Sequence, residues 1–452
     1  MKRFLSLLVL TGFVISFHVR AQIITFRKTF GGSMEDRGYS VCQTFDGGYI
    51  FGGTTTSFGA GNYDVYLIKT DAAGNSEWTK TIGGTGADDV KSILQTPDSG
   101  YIMTGRTISL SGGVNHIYII KTTSNGTTIW TKTISDVDDL RGASIVKTTD
   151  GNYYVVGGGY GKVSQIKISN SGVIIWNKQL TIGASGGSGI QTSDGGYAIL
   201  AGEGIRLIKT DTAGNETWTK IISSNMTYLA CALSQTTDNG YLLLGSTPFP
   251  NSNLYLVKTN SSGDPLWTKQ PFPGIGYAIS PTSDGNYIIT GNNTGALCLF
   301  KIDPNGNTLW IKNYGGFADN VGYSVKETSD GGFVAVGSTT QYGAGAQDFY
   351  AVKTDSSGRS VGGINNSVKS ENELFIYPNP FSKSATLFFK NSSGNDHYSI
   401  EIYSVLGKII MTQKFYDFNN IVIEKGNLPA GIYFIKLLHG NELAGTIRFI
   451  IE

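Results

Sequence analysis

The sequence predicts an all-β protein, a seven-bladed β-propeller followed by a small C-terminal β-sandwich. Three observations carry this prediction. An Asp-Gly-Gly-Tyr-like turn recurs at Asp46, Asp98, Asp150, Asp194, Asp238, Asp284 and Asp330, at spacings of 52, 52, 44, 44, 46 and 46 residues. A Lys closing an apolar run recurs at Lys69, Lys121, Lys167, Lys209, Lys258, Lys301 and Lys353. All six tryptophans, Trp78, Trp130, Trp176, Trp218, Trp267 and Trp310, open the triplet Trp-x-Lys. A period in the forties to fifties suits one four-stranded blade per repeat. The 61 glycines in 452 residues supply the tight turns that so many short strands require.

The elements follow in chain order. Residues 1–21 read as a signal peptide. Lys2 and Arg3 precede an apolar stretch of 14 residues from Phe4 to Phe17, too short to span a bilayer, and Val19-Arg20-Ala21 offers a cleavage site before Gln22. No later stretch is long and apolar enough to form a transmembrane segment. The propeller is expected over 22–361. In its first full repeat, strand a covers 40–44 and the Asp46-Gly47-Gly48 turn leads to strand b at 49–54. In that turn Gly accepts positive φ and Asp caps free N–H groups. Strand c covers 64–70, a second turn spans Asp71 to Asn75, and strand d covers 77–82 with Trp78. Strand c, with Val65-Tyr66-Leu67-Ile68, is apolar on both faces, as a sheet held between two neighbours must be.

The chain ends predict a closed ring. Phe26-Arg27-Lys28-Thr29-Phe30 matches the Trp-x-Lys-Thr-Ile strand with Phe26 at the Trp position, but no strand a, b or c precedes it. The last repeat has a, b and c up to Lys353 and no Trp-x-Lys after it. The N-terminal strand therefore completes the last blade. Closure removes exposed sheet edges, whereas an open stack would need polar capping repeats.

A Gly/Ser/Asn-rich linker occupies 362–373, and from Leu374 alternating short strands suit a small sandwich. Tyr377-Pro378-Asn379-Pro380 opens this segment. Ile402 to Lys408, ending in Gly407-Lys408, runs a strand into a turn, and Leu428-Pro429-Ala430-Gly431-Ile432-Tyr433 forms another strand. Cys42, Cys231 and Cys298 make an odd count without a CxxC and fall in apolar strands, which predicts free buried thiols.

Charge narrows the partners. Of 35 basic residues, Lys2, Arg3 and Arg20 lie in the leader, leaving 32 against 34 acidic ones, a net charge of −2. No basic field exists to hold phosphates, so nucleic acid is excluded as a partner. Catalytic residues are not assigned. Of the four histidines, only His116 lies in the propeller, which excludes His-paired nucleophiles and multi-His metal sites there. No metal or cofactor is expected. The repeated Asp residues read as turn caps, and the repeated Lys residues are expected to snorkel over strand edges. Arg37, Arg106 and Arg141 are near-adjacent in the repeats, but nothing in their spacing shows that they converge.

Function is expected on the variable loops. The a–b and c–d turns are short and uniform, and they share one face of the ring. The b–c and d–a connections vary and share the other, where a rigid scaffold usually presents its binding residues. Phe58-Gly59-Ala60-Gly61-Asn62-Tyr63-Asp64 nearly recurs as Tyr342-Gly343-Ala344-Gly345-Ala346-Gln347-Asp348, and ring closure makes those repeats neighbours. Acidic d–a loops fall in the same sector, at Glu35 and Asp36, Asp88 and Asp89, Asp138 and Asp139, and Asp319. Phe58, Tyr63, Asp64, Tyr342, Asp348, Asp36 and Asp89 are therefore the candidate ligand contacts for a glycan or protein, off the ring axis. The alternative, that these loops only shield strand ends and their acids cap turns, stays open.

Four resemblances add to this reading. Asp71-x-x-Gly74-x-x-x-Trp78 is similar to the Trp-docking repeat of quinoprotein dehydrogenases, with one residue fewer between Asp and Gly and seven repeats in place of eight. Thr44-x-Asp46-Gly47-Gly48 resembles the Asp-box turn of sialidases and related propellers, a structural feature that implies no activity. The repeat as a whole resembles those of secreted Bacteroidetes proteins. The C-terminal motifs Tyr377-Pro378-Asn379-Pro380, Gly407-Lys408 and Leu428 with Gly431 and Tyr433 resemble the type A sorting domain of the type IX secretion system, over 374–452. Ser404 and Arg448 depart from its usual Asp and Lys. That resemblance implies the secretion machinery as a partner, export across the outer membrane, removal of the domain, and a surface-attached or released product. The whole reads as an exported, monomeric binding or adhesion propeller, with a secreted hydrolase or lyase acting on polysaccharide as the alternative.

Overall fold

The structure is a computed structural model. It describes residues 24–109, 113–135, 140–159, 161–181, 186–202, 204–223, 229–247, 253–271, 274–316, 319–360, 374–389, 398–404, 408–415, 421–439 and 442–452. The leader, the linker, Asp138, Asp139 and Gly407 lie outside the described residues.

Seven four-stranded antiparallel sheets follow one another along the chain. Blade 1 consists of Asp36–Gln43 (strand a), Tyr49–Thr55 (b), Asp64–Thr70 (c) and Ser76–Ile82 (d). Blades 2 to 6 repeat the order over 88–134, 141–181, 186–223, 229–269 and 275–314. The strand a of each blade touches the strand a of both neighbours, and these contacts close a ring of seven around a central channel. Strand a starts four residues earlier than the pattern of hydrophobics suggests, because this inner strand runs the full depth of the ring. Strands b and c are buried throughout in blade 1, whereas strand d is largely exposed at the rim.

Blade 7 is closed as the chain ends predict. Its strands a, b and c, Val321–Glu327, Phe333–Thr339 and Asp348–Thr354, are joined by Phe26–Phe30 as strand d. The register runs from Phe26 opposite Lys353 to Phe30 opposite Phe349, and in blade 1 Trp78 likewise stands opposite Lys69. The c–d turn glycine of each blade packs on the rim aromatic of the preceding blade. A Cβ on Gly126, Gly172, Gly214, Gly263, Gly306 or Gly358 would come within 2.5–3.0 Å of a Trp ring atom, and one on Gly74 would come equally close to Phe26. These glycines also hold φ between +74° and +81°, where a side chain is strained.

The repeated Lys residues do not snorkel outward. Each reaches back within its blade to the Asp of the a–b turn, at 2.5–2.9 Å in all seven blades. The lysine side chains are only 1–13% exposed, so the ammonium is taken out of water and its partner is obligatory. Asp46 also accepts hydrogen bonds from Thr44 Oγ1 (2.5 Å) and Gly48 N (3.0 Å). Cys298 is buried and Cys42 and Cys231 are half-buried, all as free thiols.

The C-terminal segment forms a three-stranded sheet and a four-stranded sheet, the latter in the order Ile409–Phe415, Tyr398–Ser404, Gly431–His439, Glu442–Ile451. Ile376, Leu387, Ile400, Ile435 and Phe449 share one core drawn from both sheets.

Candidate functional site

On the face formed by the b–c and d–a loops, the loops of blades 7, 1 and 2 are stitched together by backbone hydrogen bonds. Asp36 N donates to Gln347 O (2.6 Å) and Asp88 N donates to Tyr63 O (2.7 Å). Glu35 N and Met34 N donate to Thr56 Oγ1 (2.8 Å) and Ser57 Oγ (3.0 Å). Loop 342–348, loop 31–36 and loop 56–64 thus form one contiguous surface.

The candidate carboxylates on this surface point inward. Asp36, Asp64, Asp348 and Asp89 are 0%, 1%, 1% and 5% exposed. Asp36 Oδ2 accepts from Gly32 N (2.8 Å) and Ser57 Oγ (2.7 Å). Asp64 Oδ2 accepts from Ala60 N (2.9 Å) and Gly61 N (3.1 Å), and Asp348 Oδ2 from Gly345 N (3.0 Å). Asp36 and Asp348 converge on Gly31, where a Cβ would lie 2.7 Å from one carboxylate and 2.0 Å from the other. Asp64 and Asp88 converge in the same way on Gly83, at 2.0 and 2.8 Å. Burial, and behind it the like charge of Asp36, pushes the Asp348 carboxyl up against the hydrogen bond from Gly345. The aromatics are placed differently. Phe58 is 44% exposed, with its ring 5.5 Å from Tyr66. Tyr63 and Tyr342 are half-buried, Tyr342 with its ring 5.6 Å from Tyr350.

A second cluster, which the sequence reading did not identify, lies at the channel. Every strand a carries a β-bulge that leaves one extra residue against strand b: Tyr39, Lys91, Ala143, Gly187, Cys231, Tyr277 and Tyr323. A bulge on an edge strand re-aims a side chain, and here that edge lines the channel. The rings of Tyr277, Tyr323 and Tyr39 follow one another at 5.1 Å centroid separations, and Lys91 Nζ sits 3.2 Å over the Tyr39 ring. Arg106 and Lys91 meet at Asp89, at 2.7 and 3.8 Å, and the charges of Arg37 and Arg141 also reach Lys91. Arg106 Nε donates to Asp89 Oδ2 (2.7 Å), and Arg37 Nη2 to Glu35 Oε2 (3.2 Å). Burial lowers the Lys91 amine, and the three guanidinium groups add to that against the opposing charge of Asp89. The signal for this cluster was in the sequence, seven residues before each turn Asp, but it was not recognised as a channel position.

An open groove of about 650 Å³ lies on the opposite face, lined by Asp194, Lys209, Trp218 and Tyr241 among others. It is built from the turn Asp, the strand-c Lys and the rim Trp that recur around the ring, so it belongs to the scaffold. Among the described residues no three His, Cys, Asp or Glu side chains converge as a metal site. No helix there is long and apolar enough to cross a membrane.

In the C-terminal domain the opening motif is tied to the last strand. Asn379 Oδ1 accepts from Ile450 N (2.8 Å), and Asn379 Nδ2 donates to Arg448 O (3.2 Å). Tyr433 OH donates to Pro429 O (2.9 Å), and the Tyr433 ring stacks on Phe449 at 5.5 Å. Tyr377 is 60% exposed, and Lys408 is exposed as well.

Residues 375–452 match the family model described as "Secretion system C-terminal sorting domain". This domain marks proteins sent by type IX secretion to the cell surface or the extracellular space, and the chain is such a propeller protein. A search of curated proteins found no match. Among solved structures, the chain is similar to a catalytically inactive virginiamycin B lyase from Staphylococcus aureus with quinupristin. That match has 13% identity and a TM-score of 0.52, covering 73% of this chain and 99% of the other. It is also similar to the extracellular domain of a putative hybrid two-component system from B. thetaiotaomicron, at 12% identity and TM-score 0.47, covering 94% of this chain and 59% of that one. At such identities the first likeness bears on the fold alone.

Proposed function

We propose that the exported propeller is a monomeric binding or adhesion module for an extracellular glycan or protein, with blades 7, 1 and 2 of the loop face as its contact surface. In this reading the chain divides into a leader (1–21), the propeller (22–361), a linker (362–373) and the sorting domain (374–452). One observation supports binding over hydrolysis. Asp36, Asp64 and Asp348 are buried with an oxygen held by backbone N–H groups of their own loops, while Phe58 is exposed and Tyr63 and Tyr342 are half-buried. Aromatic faces beside rigid backbone suit stacking on a sugar or a peptide.

The test is a glycan and protein ligand screen with the secreted protein, followed by simultaneous Phe58→Ala, Tyr63→Ala and Tyr342→Ala. Binding is expected to fall by roughly tenfold or more, with the melting temperature nearly unchanged. Binding that survives the triple change would place the contact surface elsewhere.

The sorting domain is expected to be removed on export. Intact-mass measurement on cell-surface or released material should give a form lacking 374–452. Full-length protein retained in the cytoplasm would end this reading.

The second reading, a secreted hydrolase or lyase acting on polysaccharide, is favoured by the lowered Lys91 amine among three arginines beside Tyr39. Release of new reducing or unsaturated ends from a polysaccharide by the secreted protein would replace the binding reading with this one.

A further inference from the structure

We propose that the loop-side mouth of the central channel is a binding site for an anionic saccharide, with a sugar ring on the Tyr277–Tyr323–Tyr39 crescent and its acid group on Lys91 and Arg37. This rests on the binding reading above and adds to its off-axis loops a second contact on the ring axis.

The argument begins with the bulge ring. At positions that only build the scaffold the blades are alike: seven turn Asp, seven strand-c Lys, seven rim aromatics. At the bulge they differ. Blades 6, 7, 1 and 2 carry Tyr277, Tyr323, Tyr39 and Lys91, and blades 3, 4 and 5 carry Ala143, Gly187 and Cys231. A purely structural position in a seven-fold ring would have one size all round. This one places bulky side chains on one arc of the channel and small ones opposite, which leaves room beside an aromatic wall. The three tyrosines are half-buried, and Lys91 covers one face of the Tyr39 ring.

The chemistry of the wall is that of an acidic sugar site. Tyrosine faces take the C–H faces of a pyranose ring. Four cations, Arg37, Lys91, Arg106 and Arg141, act together there against Asp89 and Glu35, with Asp319 beside Tyr323. Arg106 is held by Asp89 and by Asn115 Oδ1 (3.3 Å). Arg141 is engaged in an interaction of its own. Lys91 is 3.8 Å from Asp89, too long for a hydrogen bond, and the Lys91 and Arg37 side chains are each about a third exposed. A ligand carboxylate or sulfate would complete the hydrogen bonding of these two exposed cationic heads. Lys91 and Arg37 are therefore the groups assigned to the acid.

The test uses the secreted protein on an array of uronate-bearing, sulfated and neutral oligosaccharides of matched length. Acidic chains are expected to bind about tenfold or more tightly than neutral ones, with affinity falling as salt rises. Retention of the uronate arm alone identifies a carboxylate ligand, and retention of the sulfated arm alone a sulfate. Lys91→Gln should abolish the acidic preference. Tyr323→Ala should weaken binding of the acidic chains about tenfold, and Tyr323→Phe, which keeps the ring, should not. The inference is overturned if acidic and neutral chains bind alike, or if Lys91→Gln leaves the preference intact. It is also overturned if binding is lost in the Phe58, Tyr63 and Tyr342 variant but kept in Lys91→Gln. In each of these cases the binding function itself survives. Absence of any glycan or protein ligand in the screen ends both.

Discussion

Removal of Phe26–Phe30 should convert a stable closed ring into an aggregating one. The strand supplies the whole outer edge of blade 7, with five residue pairs from Phe26–Lys353 to Phe30–Phe349. Without it, Asp348–Thr354 becomes an unpaired, buried-type strand at a sheet edge, the geometry that recruits strands from other chains. Phe26 is 5% exposed, sits under Gly74 and makes an edge-on contact with Tyr49 of blade 1 at 5.6 Å. It therefore joins blade 7 to blade 1 as each Trp joins its blade to the next. Phe26→Ala alone is expected to cost about 3–5 kcal/mol, and deletion of the strand more. In a domain of this size each kcal/mol lowers Tm by about 2–4 °C, so the point variant should be visible in a thermal melt and the deletion in size-exclusion chromatography. Phe26→Trp restores the residue that the other six rim strands carry and should be tolerated. If the deletion melts like the parent, the ring is not closed by this strand.

The Lys–Asp braces should show a marked asymmetry. Lys121 is 1% exposed and donates to Thr96 Oγ1 (2.7 Å) and to both oxygens of Asp98 (2.8 and 2.9 Å), whereas Asp98 is 48% exposed. Asp98→Ala leaves an ammonium buried without its counter-charge and is expected to cost about 3–5 kcal/mol. Lys121→Met leaves a carboxylate that water can reach and should cost about 1 kcal/mol or less. The double variant should cost well below the sum. Equal costs for the two single changes in denaturant melts would contradict this account.

The same braces set the acid limit of the fold. Partial burial works to raise the Asp46 carboxyl, but hydrogen bonds from Thr44, Lys69 and Gly48 and the charge of Lys69 overcome it and bring it to about 2. Asp98 is brought to about 2 in the same way by Lys121, Thr96 and Gly100. Lys258 and Thr236 bring Asp238 to about 2. Asp150, Asp194, Asp284 and Asp330 are lowered as well. An unfolded Asp titrates near about 3.9. A depressed carboxyl therefore contributes stability that is complete above about pH 4 and lost as pH falls toward about 2. Asp348, which is raised, works in the opposite sense, but it is one group against seven. Tm should be flat near neutrality and fall steeply between about pH 4 and 2, and that fall should shrink in Lys121→Met.

Much of this was legible in the sequence because repeats convert one reading into seven. The missing strand d of the last repeat and the orphan Phe26 strand could be matched by residue type alone. The sorting motifs could be found because they occur in order within one short segment. The partners of the seven lysines were not legible. Lys69 and Asp46 are 23 positions apart, and only the folded hairpins bring a strand-c side chain across strand b to the a–b turn. Loop chemistry was misleading for a related reason. Asp36, Asp64 and Asp348 carry the composition of a binding loop, yet whether a loop carboxylate faces water or its own backbone N–H groups has no periodic signature.

The sequence by itself determined the number of blades, the four strands in each, the closing strand and the route out of the cell. These follow from local patterns: turn residues, apolar periodicity and short motifs in order. Only the tertiary structure decided what faces the channel. Arg37 and Tyr39 share one inner strand, and Lys91, Arg141, Tyr277 and Tyr323 come from four other blades. They meet because seven bulged inner strands share one axis, and an axis exists only once the ring has closed.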